Sequence, residues 1–481
     1  MNQAKRFIHI FNAFVKVKKL LKNKDNGIDF SVIGPPMVKI LNDLGPTFIK
    51  LGQMLSLRPD IIPPNLADEL RKLLDHGTPV DARKVINLFK SETGKSPSEI
   101  FHSFEETPFA VASLAQVHRA VYQGKILAVK IQKPDIYSVI LQDLSLIKKS
   151  IFLLSFNPKT RKFKSMAGLA IAEFHRWIEK ELDYRLEAIN IERISKNFLD
   201  VKYFKAPRIE HALSSKKILV MEYIDGVSLN ELFDNIPNLS EQNIIKYKDI
   251  KFSKSKFLDR AINIVFKQIF EDGVFHADPH PGNIFVTKEG DVAFIDFGII
   301  GILQPSIKKS ILEVFFGIIE RDIEKISGSL IGLDEIEGHA SMPEIEAKIR
   351  QLLNEWQSGS IMEMTTAEVF YQLVKISIES KIDLPYSIVI IGKTLLEYDG
   401  DLRKLKPDLD IIDSFKDIVE KKYGMSIMNF AQEGKTVPLN NLLSLMESLP
   451  ENLQTFAKGL IDKGLDFSVH FGPTEQKAKK G

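Results

Sequence analysis

Residues 274–298 constrain the chain more than any other stretch, because short apolar pieces there alternate with polar, turn-rich ones. Val274-Phe275 leads into His276-Ala277-Asp278-Pro279-His280-Pro281-Gly282-Asn283, followed by Ile284–Val286, a turn over Lys288-Glu289-Gly290-Asp291, and Val292–Ile295. Apolar runs this short, separated by a Gly-Asp turn, read as a β-hairpin. Two prolines and a glycine stiffen the preceding loop, so Asp278 and Asn283 can be held in one geometry, as catalysis by positioning requires. A plain turn with solvated polar groups has the same composition, and the loop alone does not decide between them. Asp296-Phe297-Gly298 adds an acid placed directly after a buried strand and before a glycine able to turn the chain.

Asp278-x4-Asn283 followed by Asp296-Phe297-Gly298 resembles the catalytic loop and metal-binding motif of protein kinases, and the pairing is far more specific than either half. The resemblance implies that Asp278 orients or deprotonates the nucleophile. It also implies that Asn283 and Asp296 give hard oxygen ligands to Mg²⁺ bridging nucleotide phosphates. A kinase fold further requires a lysine on an upstream strand, and Leu127-Ala128-Val129-Lys130-Ile131 supplies one, to contact the α/β-phosphates. A strand-edge lysine is ordinarily just solvated, so the role of Lys130 depends on a helix carboxylate to pair with, and Glu187 is the candidate.

The rest of the chain fits that frame. At 481 residues it exceeds one ordinary core, so closely apposed lobes with appended helices are expected. Hydrophobic residues at 44% and charged residues at 27% are a globular balance, and a net charge of +2 gives no global attraction for nucleic acid. The absence of cysteine excludes disulfides, thiolate metal sites and thiol catalysis. No apolar run approaches bilayer-spanning length and no secretory signal is evident, so a cytoplasmic chain, peripheral at most on the inner membrane face, is expected. Residues 5–22 place Phe7, Ile10, Phe11, Phe14, Val17 and Leu21 on one helical stripe with lysines elsewhere. That stripe fits both an ordinary docking helix and a helix lying on an anionic membrane surface.

After Gly34-Pro35-Pro36, residues 37–57 read as two helices divided by Gly45-Pro46 and ended by Arg58-Pro59, with further helices near 65–75 and 81–91. Residues 116–122 and 126–132 form a hairpin through Gln123-Gly124. A helical region from about 135 to 199, interrupted near Asn157-Pro158, then strand-like Lys217–Glu222, and helices beyond Pro305 complete the pattern.

Four segments in order narrow the resemblance from kinases in general to the UbiB family of atypical kinases: Lys50-Leu51-Gly52-Gln53, Ala110–His118, Glu181–Glu187 and His276–Asn283. The first matches the family's K-x-G-Q signature, the second an alanine-rich loop in place of the glycine-rich one, the third the E-x-D signature followed by the lysine's partner. The resemblance implies an α+β, two-lobe atypical protein-kinase-like fold, with a small N-lobe sheet, a helical C-lobe and an N-terminal helical extension. The expected divisions are a basic amphipathic helix over 1–26, the extension carrying K-x-G-Q over 27–104 and an N-lobe with helical insertion over 105–225. A C-lobe over 226–400, C-terminal helices over 401–473 and a disordered tail over 474–481 follow.

Each segment also has a local reading. Lys50 and Gln53 project from one side of a helix, either as a solvated face or, as the resemblance implies, as part of a lid with Glu181 and Asp183 gating the cleft. On one continuous helix, Asp183 and Glu187 share a face and repel unless a cation lies between, while Glu181 is free to pair with Arg185. Ala110, Val111, Ala112 and Ser113 lack the glycines that wrap phosphates through positive-φ turns, so nucleotide is held differently. Val111 replaces the alanine usual in the family. Met221, Glu222 and Tyr223 look like the hinge, Met221 narrowing the pocket and backbone groups from Glu222 onward facing adenine.

The function implied is an ATP- (or ADP-) and Mg²⁺-dependent atypical kinase or ATPase supporting ubiquinone or other isoprenoid-lipid biosynthesis. Its expected partners are a hydrophobic quinone precursor or other isoprenoid lipid, an anionic membrane surface and lipid-biosynthesis proteins, with no nucleic acid. A nucleotide-binding regulator of a quinone-biosynthesis complex and a conventional protein kinase are the alternatives.

Overall fold

The computed structural model of the protein describes residues 3–22, 30–58, 62–73, 77–154, 161–235, 242–245, 250–334, 341–358 and 364–423. The expected break at Asn157-Pro158, the helices beyond 423 and the tail 474–481 lie outside these residues. The chain is mixed α and β, with small sheets in a largely helical chain, and it packs as two compact units. One contains Met1–Pro237, Ile244–Phe252 and His280–Ile300, the other Asn238–Asn243, Ser253–Pro279 and Gly301–Gly481.

The first unit is organised by an antiparallel sheet in the order Ser103–Phe104, Ala115–Tyr122, Lys125–Gln132, Ile218–Glu222, with Ala110–Val111 also on Ala115–Tyr122. The expected hairpin is present, its Gln123 and Gly124 both at positive φ (48° and 76°), the conformation that suits a two-residue turn to the twist of the strands. Period-2 alternation sends Leu127, Val129 and Ile131 to one face, where they are buried with Ile218, Val220, Val85 and Phe89 beneath the helix Ala82–Thr93. Lys130 therefore emerges on the opposite face, paired across the strands with Val117 and Leu219.

A second sheet orders Phe204–Lys205, Val292–Phe294, Ile284–Thr287 and Gly226–Ser228, and includes the expected hairpin in register Ile284↔Phe294. The helices Gln3–Lys22, Pro46–Ser56, Ile136–Leu154 and Arg161–Glu181 share one apolar cluster around Ile10, Phe48, Ile140 and Phe174. Of the two readings of the N-terminal stripe, docking is the one seen: Ile10 is fully buried and Arg6 makes a bidentate pair with buried Asp143 at 2.8 and 2.6 Å. Thr47 donates to the same carboxylate at 2.7 Å, tying the K-x-G-Q helix into this network.

Gly34-Pro35-Pro36 does not bound a helix. Phe30–Leu44 runs through it, with Pro35 and Pro36 inside the helix.

In the second unit the helix Lys254–Phe266 continues as a π-helical turn, Lys267–Asp272, and ends at Gly273. The helices Pro305–Glu320, Ile323–Ile331, Met342–Gln357, Thr366–Glu379, Tyr386–Leu405 and Ile411–Tyr423 confirm the helical reading beyond Pro305. Their core is aromatic: Phe270 meets Phe315 at 5.7 Å and Phe415 at 5.5 Å, and Phe315 meets Phe370 at 4.7 Å. Among the described residues no helix is long and apolar enough to cross a membrane.

Candidate active site

Lys130 Nζ lies 2.7 and 2.9 Å from the two carboxylate oxygens of Glu187 and 3.4 Å from Asp296 Oδ2, over the Tyr184 ring at 5.2 Å. Local sequence explains how Glu187 arrives there. Asp183 is the N-cap of the helix Tyr184–Asn197, its carboxylate accepting from the Arg185 amide and pairing with the Arg185 side chain at 2.6 Å. Tyr184 N donates to Lys216 O at 3.0 Å and Gln132 Nε2 to Leu182 O at 2.6 Å, so the helix start is fastened to the sheet that carries Lys130.

The cap corrects the expectation of one helix through 181–187. The preceding helix ends at Glu181, Asp183 and Glu187 do not share a helical face, and the repulsion expected between them does not arise. Glu181 pairs with Lys50 Nζ at 3.0 Å, and Arg185 belongs to Asp183.

Asn283 and Asp296 are brought together by the hairpin, since Ile295 N donates to Asn283 O at 3.1 Å, one residue before the acid. Asp296 Oδ1 accepts from Gly298 N at 2.9 Å, which fixes the turn after the strand. Phe297 is fully buried, and its carbonyl accepts from Asn190 Nδ2 at 2.9 Å. Asn190 sits one turn after Glu187, so one helix face holds both the lysine and the backbone next to Asp296. The sequence reading missed Asn190 and Tyr184; their i+3 and i−3 spacing from Glu187 was the available signal.

Burial works against the Lys130 ammonium, but the carboxylates of Asp296 and Glu187 outweigh it and hold its pKa well above the ordinary lysine value. Burial likewise pushes Glu187 up, to about 7, with Asp296 adding to the rise against the pull of Lys130. One buried ammonium facing two carboxylates leaves an excess of negative charge, which a divalent cation beside Asp296 would offset. Among the described residues no cluster of three or more His, Asp or Glu side chains forms an all-protein metal cage. Two oxygen donors, Asp296 and Asn283, are instead the kind of partial set that Mg²⁺ completes with phosphates and water. The residues present therefore fit Mg²⁺ carried by a nucleotide.

Glu187 makes the stability of the unliganded protein depend on pH. Its folded pKa is raised to about 7, so the proton it gains on folding stabilises fully below the unfolded value near 4.5 and is lost as pH rises toward 7. Lowering pH from 8 to 6 should recover about 1 kcal/mol through this group. Thermal unfolding at both pH values should show an increment that disappears in Glu187→Gln.

The other site residues lie as follows. In the second unit, Asp278 follows a pinned backbone: buried His276 donates its amide to Gln268 Oε1 at 3.0 Å on the π-helical turn, a local widening often found at functional sites. Ala277 O accepts from Thr394 Oγ1 at 3.4 Å. In the first unit, Lys50 is nearly buried at 8% exposure, while Gln53 on the same helix donates to Leu73 O at 3.2 Å. Between them Gly52 allows close packing, since a Cβ there would meet Leu73 Cδ1 at 2.2 Å.

Ala110-Val111 pairs with Gln116-Val117, the turn closes through Ala112 N to Ala115 O at 2.9 Å, buried Ser113 lies within it, and no positive φ occurs from 110 to 115. Met221 is buried opposite Ala128, on the Lys130 face. The amides of Glu222 and Tyr223 already donate, to Arg208 O at 2.8 Å and Ile126 O at 3.2 Å, so neither amide is available to a nucleotide. Tyr223 also stacks with Arg119, whose guanidinium carbon is 4.6 Å from its ring centre.

Residues 72–330 match the ABC1 atypical kinase-like domain. A protein of Pseudomonas fluorescens (strain SBW25) named probable protein kinase UbiB is 32% identical over 433 residues, 88% of this chain and 76% of its own. A Pseudomonas putida (strain F1) protein of the same name is 30% identical over 449 residues, covering 92% of this chain and 79% of its own. Among solved structures, a Mycobacterium tuberculosis protein in complex with erythromycin shares the fold at 23% identity and a TM-score of 0.50, covering 76% of this chain and 90% of that one. The domain match and these relatives, together with the Lys130, Glu187 and Asp296 arrangement, place the chain in the family of ABC1 atypical kinase-like proteins to which UbiB belongs.

Proposed function

We propose that the protein is an ATP- and Mg²⁺-dependent atypical kinase or ATPase serving ubiquinone or other isoprenoid-lipid biosynthesis, acting on a small molecule or coupled to a lipid. The observation that carries the reading is Lys130 held between Glu187 and Asp296 at 2.7 and 3.4 Å. A lysine paired this way keeps its charge and one position, which suits it to the α/β-phosphates. Asp296 and Asn283 would hold Mg²⁺, which supplies neutralisation of phosphate charge when bound. Asp278 would orient or deprotonate the acceptor. Backbone groups of the hinge from Glu222 and Tyr223 onward, with Met221 narrowing the pocket, would meet the adenine.

The link to quinone metabolism rests on the UbiB relatives. A restrained chemistry is supported by Ala110–Ser113, with no positive-φ turn to wrap phosphates, and by Lys50, whose bond to Glu181 ties the K-x-G-Q helix to the helix before Glu187. Gln53 and Asp183 fasten the two ends of that arrangement. Exposed Lys5, Lys16 and Lys19 on the N-terminal helix support contact with an anionic membrane.

Turnover of ATP by wild type and Asp278→Asn, with and without anionic liposomes containing quinone, tests the reading. The expected result is Mg²⁺-dependent turnover that Asp278→Asn lowers by about 10²–10⁴-fold with nucleotide affinity retained. Equal rates would remove the enzymatic reading, and efficient phosphate transfer to an added protein would favour a conventional kinase.

A further inference from the structure

The helix Tyr386–Leu405 backs the loop that carries Asp278. Its Thr394 is fully buried and donates to Ala277 O at 3.4 Å, the carbonyl immediately before Asp278. Tyr398 lies one turn further on the same face. It is 3% exposed, and its hydroxyl is buried with no hydrogen-bond partner.

An orphaned buried hydroxyl is uncommon and costs about 1–3 kcal/mol relative to a satisfied one. Phenylalanine would fill the same space without that cost, so the hydroxyl calls for a use outside packing. Burial pushes the Tyr398 phenol well above its ordinary pKa, and the charges of Glu397, Asp401 and Asp278 push it the same way, so it is a neutral donor facing acids. Two of those acids have ammonium partners, Lys393 with Glu397 at 3.3 Å and Lys404 with Asp401 at 2.7 Å.

We infer that Tyr398 is a positioning residue for Asp278, its hydroxyl donating to the Asp278 carboxylate when the site is loaded and so fixing the orientation in which that acid meets the acceptor. The phenol keeps its proton throughout and no bond is broken. A carboxylate that must accept a proton at one point in a cycle gains from a donor that fixes its rotamer. Thr394 sets the backbone of the loop, and Tyr398 sets the side chain.

This inference rests on the proposed role of Asp278, and one set of variants separates the two. Tyr398→Phe, Asp278→Ala and the double variant are assayed for MgATP turnover, nucleotide affinity and thermal unfolding. In Tyr398→Phe, kcat should fall by about tenfold with nucleotide Kd unchanged, while Tm holds or rises because an unpaired polar atom has gone. In the Asp278→Ala background the same change should have no further effect on turnover, since the partner it acts through is absent.

Turnover of Tyr398→Phe equal to wild type, a loss repeated in full in the Asp278→Ala background, or a Tm lowered by several degrees would each overturn the positioning role. If Asp278→Ala itself turns over like wild type, the proposed function fails and this inference with it. If Asp278→Ala collapses turnover and Tyr398→Phe does not, only this inference fails.

Discussion

Lys130→Met is expected to lower MgATP turnover by about 10²–10³-fold and to change the stability of the unliganded protein in a pH-dependent way. On the proposed function, the catalytic effect follows from losing the ammonium that would meet the phosphates. The stability effect follows from what remains: Glu187, 5% exposed, and Asp296 beside it, without the ammonium 2.7 Å from Glu187. Removing one partner of a buried pair typically costs about 3–5 kcal/mol because the other charge is stranded. Glu187 has a way out, since its pKa is about 7 even with Lys130 present and must rise further without it. At pH 8 the variant should be destabilised by about 3 kcal/mol, and at pH 6 by much less, because Glu187 then takes up a proton. Denaturant unfolding at the two pH values reads this directly; a loss independent of pH would mean that Glu187 is not the stranded group.

Asp296→Asn is expected to separate metal binding from the rest of the site. Outer-shell partners of a metal are worth about 10–100-fold in affinity, so replacing a direct ligand should weaken Mg²⁺ in the nucleotide complex by about 100-fold or more. Turnover should fall accordingly and recover in part at high Mg²⁺. Asp296 also adds to the raised pKa of Glu187, so the same substitution should bring the Glu187 midpoint below about 7 and shrink the gain in Tm between pH 8 and 6. Titration of turnover against Mg²⁺ and thermal scans at both pH values check the two halves. A variant with unchanged Mg²⁺ dependence would assign the metal to other residues.

Much of this was legible in the chain itself. Leu127, Val129 and Ile131 alternate cleanly, and that alternation places Lys130 on the face opposite the core before any tertiary contact is known. The hairpin after Asn283 was equally plain, because turn residues separate two apolar runs and bring Asn283 beside Asp296. What escaped depends on bonds made at a distance. Asp183 reads as a helix residue by periodicity, yet it caps a new helix, and the carbonyls of Leu182 and Lys216, held by Gln132 and Tyr184, show why the chain breaks there.

Lys50 and Gln53 look alike on a helical wheel, but one reaches Glu181 and the other Leu73 O, and spacing cannot choose between partners far along the chain. Tyr398 offered no signal at all, since an aromatic residue on an apolar helix reads as core until its hydroxyl is seen without a partner.

The central claim, that Lys130, Glu187, Asp296 and Asn283 form a nucleotide–metal site, is tested most directly by a crystal structure of the protein with Mg²⁺ and a non-hydrolysable ATP analogue. The expected result is a metal about 2.0–2.1 Å from a carboxylate oxygen of Asp296, with Asn283 in its coordination sphere and Lys130 Nζ within hydrogen-bond reach of the α/β-phosphates. A nucleotide bound with its phosphates away from Lys130, or a metal held without Asp296, would contradict it.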